Sequence, residues 1–161
     1  MKIKNLIDED FIQYKKPSMF IGFPNCSFKC DKECGQQVCQ NSKLAQSANV
    51  EISKEVLCER YLNNPLTSAI VCGGLEPFDS KIDLITFVDC LRRQYNCNDD
   101  IVIYTGYYPE EISLILTDLK KYDNIIIKFG RFIPNKDKKY DEILGVTLAS
   151  DNQYARRVEN I

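Results

Sequence analysis

The chain has 161 residues, with 21 Lys and Arg against 23 Asp and Glu, so its formal net charge is -2. This length predicts one domain over residues 1–161, and the charge gives no electrostatic reason to expect nucleic acid as a partner. The chain has no histidine, which excludes Ser-His and Cys-His catalytic pairs, a histidine general base and a Cys2His2 zinc site. Its eight cysteines are about 5% of the residues, below the roughly 8–10% typical of small disulfide-rich secreted domains.

The N-terminal residues indicate where the protein is found. Residues 1–9 mix lysines with Asp and Glu and have no apolar core, so they do not have the pattern of a signal peptide. No apolar run approaches the ~20 residues that span a bilayer. These features predict a cytoplasmic protein with no membrane partner. Because thiols stay reduced there, a cysteine cluster is expected to bind metal or to be catalytic.

Short apolar runs and amphipathic segments alternate along the chain. The apolar residues before Gly22-Phe23-Pro24 predict a first strand, and residues 25–49 show little periodicity, which indicates a loop. Three helices are predicted after this loop: one from Ser53 to about Asn63 with Val56 inward, one capped by Ser80 and one opening at Pro109. Strands are predicted over 68–72, 101–104 and 124–129, with a short last strand within 143–148. Residues 130–141 are predicted to form a polar basic loop.

Strands separated by helices of roughly 10–15 residues predict βαβ units and a mainly parallel sheet. We expect an α/β fold, an open partial (βα) barrel of roughly four to six mainly parallel strands with helices outside, because a full barrel takes about 200–250 residues. Right-handed crossovers place the strand-to-helix loops at one edge of such a sheet, where ligands bind. Three unusual segments fall in those loops: the cysteine cluster, Gly73-Gly74-Leu75-Glu76-Pro77 and Tyr104-Thr105-Gly106-Tyr107.

Four cysteines are clustered and four are isolated. Cys26, Cys30, Cys34 and Cys39 fall close together in the predicted loop. Iron–sulfur clusters are held by such closely spaced thiolates, whereas structural zinc usually takes two cysteine pairs separated by a longer insert. An iron–sulfur cluster is therefore favoured over zinc and over unliganded thiols. The isolated residues, Cys58, Cys72, Cys90 and Cys97, are predicted to be small buried hydrophobes.

The cysteine loop also carries a family resemblance. The pair Cys26-x3-Cys30 after a first strand, followed by Cys39-Gln40-Asn41, resembles the cluster loop of radical S-adenosylmethionine (SAM) enzymes, and more narrowly that of the activating proteins of anaerobic ribonucleoside-triphosphate reductases. The family spacing is Cys-x3-Cys-x2-Cys, so the third ligand here is either Cys34 or Cys39. Cys39 is preferred because Cys-Gln-Asn is similar to the family residues there. Residues 31–38 are then a local insertion in a cluster-binding loop over 24–49.

Three further stretches are similar to the same family and occur in the same order. Gly73-Gly74-Leu75-Glu76-Pro77 resembles its Gly-Gly-Glu-Pro motif with Leu75 inserted, and Tyr104-Thr105-Gly106-Tyr107 resembles its Thr-Gly-Tyr segment. The pair of segments Phe129–Phe132 and Ala149–Gln153 resembles its late Gly-x-Phe and Ser-Asn-Gln elements. The resemblance covers roughly Ser18 to Arg157.

The resemblance implies a [4Fe-4S] cluster with one iron left open for S-adenosyl-L-methionine, an arrangement that requires no histidine. The implied SAM-binding residues are Phe28, Gly73, Gly74, Glu76, Pro77, Thr105 and Gly106. Glu76 would meet the SAM ammonium, or else be a solvated loop carboxylate. Thr105-Gly106 would contact the ribose or methionine part, or else form an ordinary turn. Phe28 would pack near the adenine, or else shield the cluster from water.

The implied function is that of an oxidoreductase that generates a glycyl radical on a large partner, an anaerobic ribonucleotide reductase, using a separate reducing electron donor. The partner would cover the open rim of the partial barrel. Arg131, Lys136 and Lys138 would dock an acidic partner, or else form a solvated basic face. Two alternatives stay open: a radical SAM enzyme acting on a small molecule or peptide, and an iron–sulfur electron carrier or structural metal module with Cys34 as a fourth ligand.

Overall fold

A central six-stranded sheet organises the computed structural model, which describes residues 1–161. The strands are β1 Lys2–Ile3, β2 Asn5–Asp10, β3 Ser18–Phe23, β4 Val50–Glu51, β5 Ala69–Gly74, β6 Asp100–Tyr104, β7 Ile125–Phe129, β8 Lys139–Asp141, β9 Val146–Leu148 and β10 Tyr154–Arg157. The helices are α1 Lys29–Cys34, α2 Ser42–Gln46, α3 Lys54–Leu62, α4 Lys81–Asp89 and α5 Ser113–Leu119. Short 3-10 turns span Pro77–Ser80, Pro109–Glu111 and Val158–Asn160, and a π-helical turn spans Cys90–Gln94.

The strand order across the sheet is β10-β7-β6-β5-β3-β2. The four inner strands β3, β5, β6 and β7 run parallel, and the edge strands β2 and β10 pair antiparallel to their neighbours. The α/β class and the four inner strands are confirmed, but the sheet is mixed because of its two edges. Closure of this sheet into a partial barrel stays a prediction. None of the helices is both long and apolar enough to cross a membrane.

Helices cover one face of the sheet. The apolar runs of the inner strands alternate, so that Ile70, Ile101 and Ile125 point to the same side and enter a core of 25 buried residues. Helices α3, α4 and α5 close this core with one buried stripe each. The isolated cysteines Cys58, Cys72, Cys90 and Cys97 all lie in it, as predicted for small buried hydrophobes.

A smaller apolar cluster lies on the opposite face. Val71, Val102 and Ile126 pack there against Tyr14 and against residues of the β8–β9 hairpin region. Phe20, Tyr104 and Lys128 share this side by strand alternation, but the hairpin does not cover them completely. They line an open cavity instead. We refer to the two sides as the helical face and the cavity face.

Several local predictions differ from the structure. Residues 25–49, predicted as a loop, contain the short helices α1 and α2, and Val56, predicted to face inward, is 48% exposed. Ser53 does cap α3, because its hydroxyl accepts the Val56 N–H at 3.2 Å. Ser80 does not cap α4. Its hydroxyl accepts a hydrogen bond from Asn25 Nδ2 at 3.0 Å, which ties the start of the cysteine loop to the turn before α4.

Candidate functional site

A cavity of about 540 Å³ opens at the carboxyl ends of the parallel strands. Three thiols of the cysteine loop line it, those of Cys26, Cys30 and Cys39. Its walls also include Gly73, Gly74, Glu76, Thr105 and Gly106, all of them predicted SAM-binding residues. The loops that follow β3, β5 and β6 therefore meet at one place, as parallel topology requires. Cys34, Phe28 and Pro77 are not among the lining residues.

Polar contacts hold the first half of the cysteine loop. Asp79 accepts hydrogen bonds from the Ser27 backbone N–H and from the Tyr107 hydroxyl. The next residue, Phe28, has a φ of 52° in the left-handed region, which turns the chain directly into α1. A bulky residue there is uncommon, because its Cβ crowds the backbone. The turn places Cys30 in the first part of α1.

An ion-pair network fixes α1 to the neighbouring loops. Lys29 Nζ lies 2.9 Å from Glu111 and 4.2 Å from the centre of the Tyr107 ring. Arg131 bridges the same Glu111 at 2.6 Å and Glu33 at 3.0 Å. The side chain of Arg131 is only 7% exposed. Its charge is thus paired inside the fold, whereas Lys136 and Lys138 are exposed and Lys136 pairs with Asp151 at 3.3 Å. The docking role of the three residues stays a prediction.

Different contacts hold the second half of the loop. One carboxylate oxygen of Asp31 accepts the backbone N–H groups of both Val38 and Cys39, each at 2.8 Å. Asn41 Nδ2 donates to the Gly74 carbonyl at 2.7 Å, so the end of the loop is attached to the end of β5. Cys34 ends α1 outside the cavity. Sequence reasoning missed Asp31, because its partners are backbone groups that a sequence does not display.

The arrangement of the three thiols does not match a preformed site for one metal ion. No group of three or more Cys, Asp or Glu side chains lies close enough to hold one metal ion. Thiolates bound to different irons of a cluster stand further apart than the ligands of one zinc. A Cβ added to Gly106 would lie 3.6 Å from the Cys30 sulfur, so this glycine leaves room beside the thiol.

Burial affects the protonation of these thiols. It raises the pKa of the Cys26 thiol to about 12, with the nearby carboxylates of Glu76 and Asp79 adding to the effect. Burial also raises the pKa of the Cys30 thiol. Both groups are therefore neutral near pH 7 in the metal-free chain. Metal binding here requires thiolates, so it must release protons.

The glycine pair is required by close packing. A Cβ at Gly73 would approach the Phe20 ring to 2.9 Å, and one at Gly74 would approach the Gly22 Cα to 2.7 Å. Gly74 also has a φ of 84°, which disfavours other residues. The inserted Leu75 keeps the chain beside β3 by donating to the Phe23 carbonyl at 3.3 Å. The chain can therefore accommodate the extra residue and still bring the next side chain into the cavity.

That next side chain, Glu76, is only 5% exposed, so it is not a solvated loop carboxylate. Its oxygens accept hydrogen bonds from the Thr105 hydroxyl at 2.8 Å and from the Gly106 N–H at 2.9 Å. Burial raises the pKa of Glu76 to about 7 despite these donors. The Thr105 hydroxyl also accepts the Tyr107 N–H at 2.9 Å. Thr105 therefore orients Glu76 and has no free donor for a ligand.

A buried lysine faces the same cavity. Lys128 Nζ lies 5.6 Å from the Tyr104 ring centre and donates to the Gly130 carbonyl at 3.2 Å. Burial lowers the pKa of Lys128 to about 8. The sequence placed this residue in the predicted strand over 124–129, next to the basic loop, and assigned it no role in the site. A lysine at a strand end carries no signal of its own, so the cavity role was missed.

The chain matches one family model over most of its length. A family model described as a 4Fe-4S single cluster domain matches residues 17–154. The matched stretch contains the three cavity thiols and the four parallel strands. No curated protein and no solved structure matches the chain.

Proposed function

Because the chain belongs to the family of 4Fe-4S single cluster domains, we propose that it is a radical SAM enzyme. In this proposal Cys26, Cys30 and Cys39 hold a [4Fe-4S] cluster and leave one iron open. The observation that carries it is the shared cavity, in which these three thiols stand beside Glu76 and the glycine pair while Cys34 lies outside. An open metal position is typical of a catalytic site and not of a structural one.

The cavity is chemically suited to SAM. The methionine part of SAM carries an ammonium and a carboxylate, and the cavity presents the carboxylate of Glu76 and the ammonium of Lys128. Both side chains are largely removed from water, which strengthens their interaction with a charged ligand. The glycine pair lets the backbone of β5 approach the ligand closely. When bound, the reduced cluster would supply the one electron that cleaves SAM, with methionine as the leaving group. A hydrogen atom taken from the substrate would then complete 5′-deoxyadenosine and leave the substrate radical.

The residues of this chain bind and orient in that reaction. Thr105 and the Gly106 N–H fix the two oxygens of Glu76, so the carboxylate is already aimed when the ligand arrives. Phe20 and Tyr104 form an apolar wall on the cavity face. No side chain has to act as a general acid or base, which agrees with the absence of histidine.

We further propose that the substrate is a glycine Cα–H of a large glycyl-radical enzyme, an anaerobic ribonucleotide reductase. Support comes from the family resemblance and from the cavity lining, which includes the exposed Ile7 and Ile12 near the β2 edge as well as the three thiols. Exposed apolar side chains beside a catalytic cavity suit a protein segment. Lys136 and Lys138, both exposed, would contribute positive charge to docking. A separate reducing protein would supply the electron.

The test is anaerobic reconstitution of the cluster, followed by reduction and addition of SAM. We expect 5′-deoxyadenosine in amounts that depend on the cluster, and a glycyl-radical signal by electron paramagnetic resonance (EPR) when the partner reductase is added. An intact cluster that yields no 5′-deoxyadenosine would reject the radical SAM assignment and indicate an electron carrier. Nucleoside formation without a radical on the partner would reject only the substrate.

A further inference from the structure

We propose that Asp31 is a positioning residue that holds Cys39 in the cavity and so replaces the short spacing of the usual cluster motif. The inference rests on the proposed function, because it takes Cys39 as a cluster ligand. It concerns a residue that belongs to no recognised motif. Its basis is the geometry of the cysteine loop on either side of α1.

The chain leaves the cavity after Cys30 and returns to it at Cys39. Between them, residues 32–37 form an excursion in which every residue except Cys34 is exposed. Its first part, residues 32–34, is the end of α1, where Glu33 pairs with Arg131, but residues 35–37 make no side-chain hydrogen bond or ion pair that sets the position of the far end. Asp31 stands at the start of the excursion, directly after Cys30, and its Oδ1 atom accepts two N–H groups from the residues at its end. The hydrogen bonds of this one side chain thus close residues 31–39 into a loop whose two ends are adjacent.

The two N–H groups depend on this carboxylate. The structure gives the backbone N–H groups of Val38 and Cys39 no other acceptor. Hydrogen bonds to an ionised carboxylate are stronger than those between neutral groups. Downstream, Asn41 attaches the chain to the Gly74 carbonyl. Cys39 is therefore held from both sides, by Asp31 before it and by Asn41 after it.

The same contact accounts for the choice between the two candidate third ligands. Cys34 belongs to α1 and remains outside the cavity. Asp31 brings the backbone of residue 39 back to the start of α1, next to Cys30. Cys39 is then held close to the start of α1 although eight residues separate it from Cys30 in sequence. Support for a ligand through its neighbours is a general feature of metal sites, and loss of such support typically lowers affinity about 10- to 100-fold.

The experiment uses the full chain with its reconstituted cluster and measures the rate of iron release to a chelator and the EPR spectrum of the reduced cluster. We expect Asp31→Ala to release iron about 10- to 100-fold faster than the unaltered chain, with an altered spectrum. Asp31→Asn keeps an acceptor oxygen at the same place, so its rate of iron release should be close to that of the unaltered chain. Lys32→Ala, an exposed neighbour, is the matched control and should behave like the unaltered chain.

Asp31→Glu covers the case in which Asp31→Ala does not fold. It keeps the charge but moves the acceptor by one methylene, so it should release iron faster than Asp31→Asn. Equal release rates in the unaltered chain, Asp31→Asn and Asp31→Glu would overturn the role of Asp31.

Cys39→Ala separates this result from the proposed function. If Cys39→Ala loses the cluster while the Asp31 variants keep it unchanged, only the positioning role fails. If Cys39→Ala keeps the cluster, the ligand assignment fails, and the positioning role fails with it.

Discussion

Cysteines lie in two different settings in this protein, in the core of the helical face and in the loop that lines the cavity. The four cysteines of the helical face are buried among apolar side chains, three of them in regular elements and Cys97 in the loop before β6. The four of the cysteine loop are half-buried, and three of them line a polar cavity. A cysteine packed in a core behaves as a small hydrophobe. One held in a loop by backbone hydrogen bonds stays available to a metal.

The buried charged side chains also differ between the helical face and the cavity face. On the helical face, the two terminal nitrogens of Arg92 donate to the carbonyls of Cys97, Asp99 and Asp123, which ties three loop segments to one side chain. On the cavity face, Glu76 and Lys128 have pKa values of about 7 and about 8. One face therefore uses a buried charge to fix loops, and the other keeps titratable groups facing an open space.

Replacing a cavity thiol should give the largest effect. We expect Cys30→Ala to lose the cluster completely, because two thiolates cannot hold it in place of three. Iron content and visible absorbance after anaerobic reconstitution measure the result. Cys72→Ala, on the helical face, is the matched control and should bind a full cluster. A cluster retained by Cys30→Ala would erase the distinction between the two sets of thiols.

Alkylation of the cluster-loaded chain should reveal a single reactive cysteine. Three thiols are engaged by the cluster, and four are sealed in the core, where labelling requires opening of the fold. Cys34 should therefore react about 1000-fold or more faster than Cys58, given ordinary folding stability. Mass spectrometry after brief labelling should find one adduct per chain, and none in Cys34→Ala. Rapid labelling of Cys39 instead would reverse the ligand assignment.

Glu76 should make stability depend on pH. Its pKa is about 7 in the folded chain against an ordinary value of 4.5, because burial disfavours the charged form. Its contribution is fully present below pH 4.5 and is lost as pH rises through 7. The free energy of unfolding should fall by up to about 3 kcal/mol across this range relative to Glu76→Gln. Urea unfolding of the cluster-free chains measures this difference, and a difference that does not change with pH would show that Glu76 is well solvated.

Loss of a core thiol should have the smallest effect. Cys72→Ala removes one buried atom from the helical face, which is expected to lower the free energy of unfolding by about 1 kcal/mol. The rate of iron release from the reconstituted chain should not change. Denaturant unfolding and iron release, measured on the same variant, test both statements. A change in iron release would mean that the core and the cavity are coupled.

The sequence predicted the inner strands well and the edges poorly. Residues such as Ile70 and Ile103 sit in short apolar runs, and a strand buried on both faces needs such a run. The edge strands β2, Asn5–Asp10, and β10, Tyr154–Arg157, are rich in charge because one side of each is free. These segments form strands because they pair with a neighbouring strand, and such pairing cannot be predicted from the local sequence.

The site was predictable where chemistry is local in sequence. Closely spaced thiols and a Gly-Gly-x-Glu segment identify themselves, and the structure brings Cys26, Cys39 and Glu76 to one cavity. The supporting contacts were not predictable, because they join distant segments. Arg131 was assigned to an exposed basic loop, yet it pairs with Glu111 from another loop. Burial of a charged side chain depends on which partner the fold supplies.

The closed loop from Asp31 to Cys39 has a consequence for recognising related proteins. Lengthening an exposed segment costs little, because the entropy of loop closure grows slowly with length. Residues could be added or removed between Gly35 and Gln37, after the end of α1, without moving either thiol, provided that the carboxylate and its two backbone donors stay in place. A search for a fixed interval between cysteines would overlook such chains. A search for an aspartate directly after the second cysteine, with the interval left free, would retrieve them.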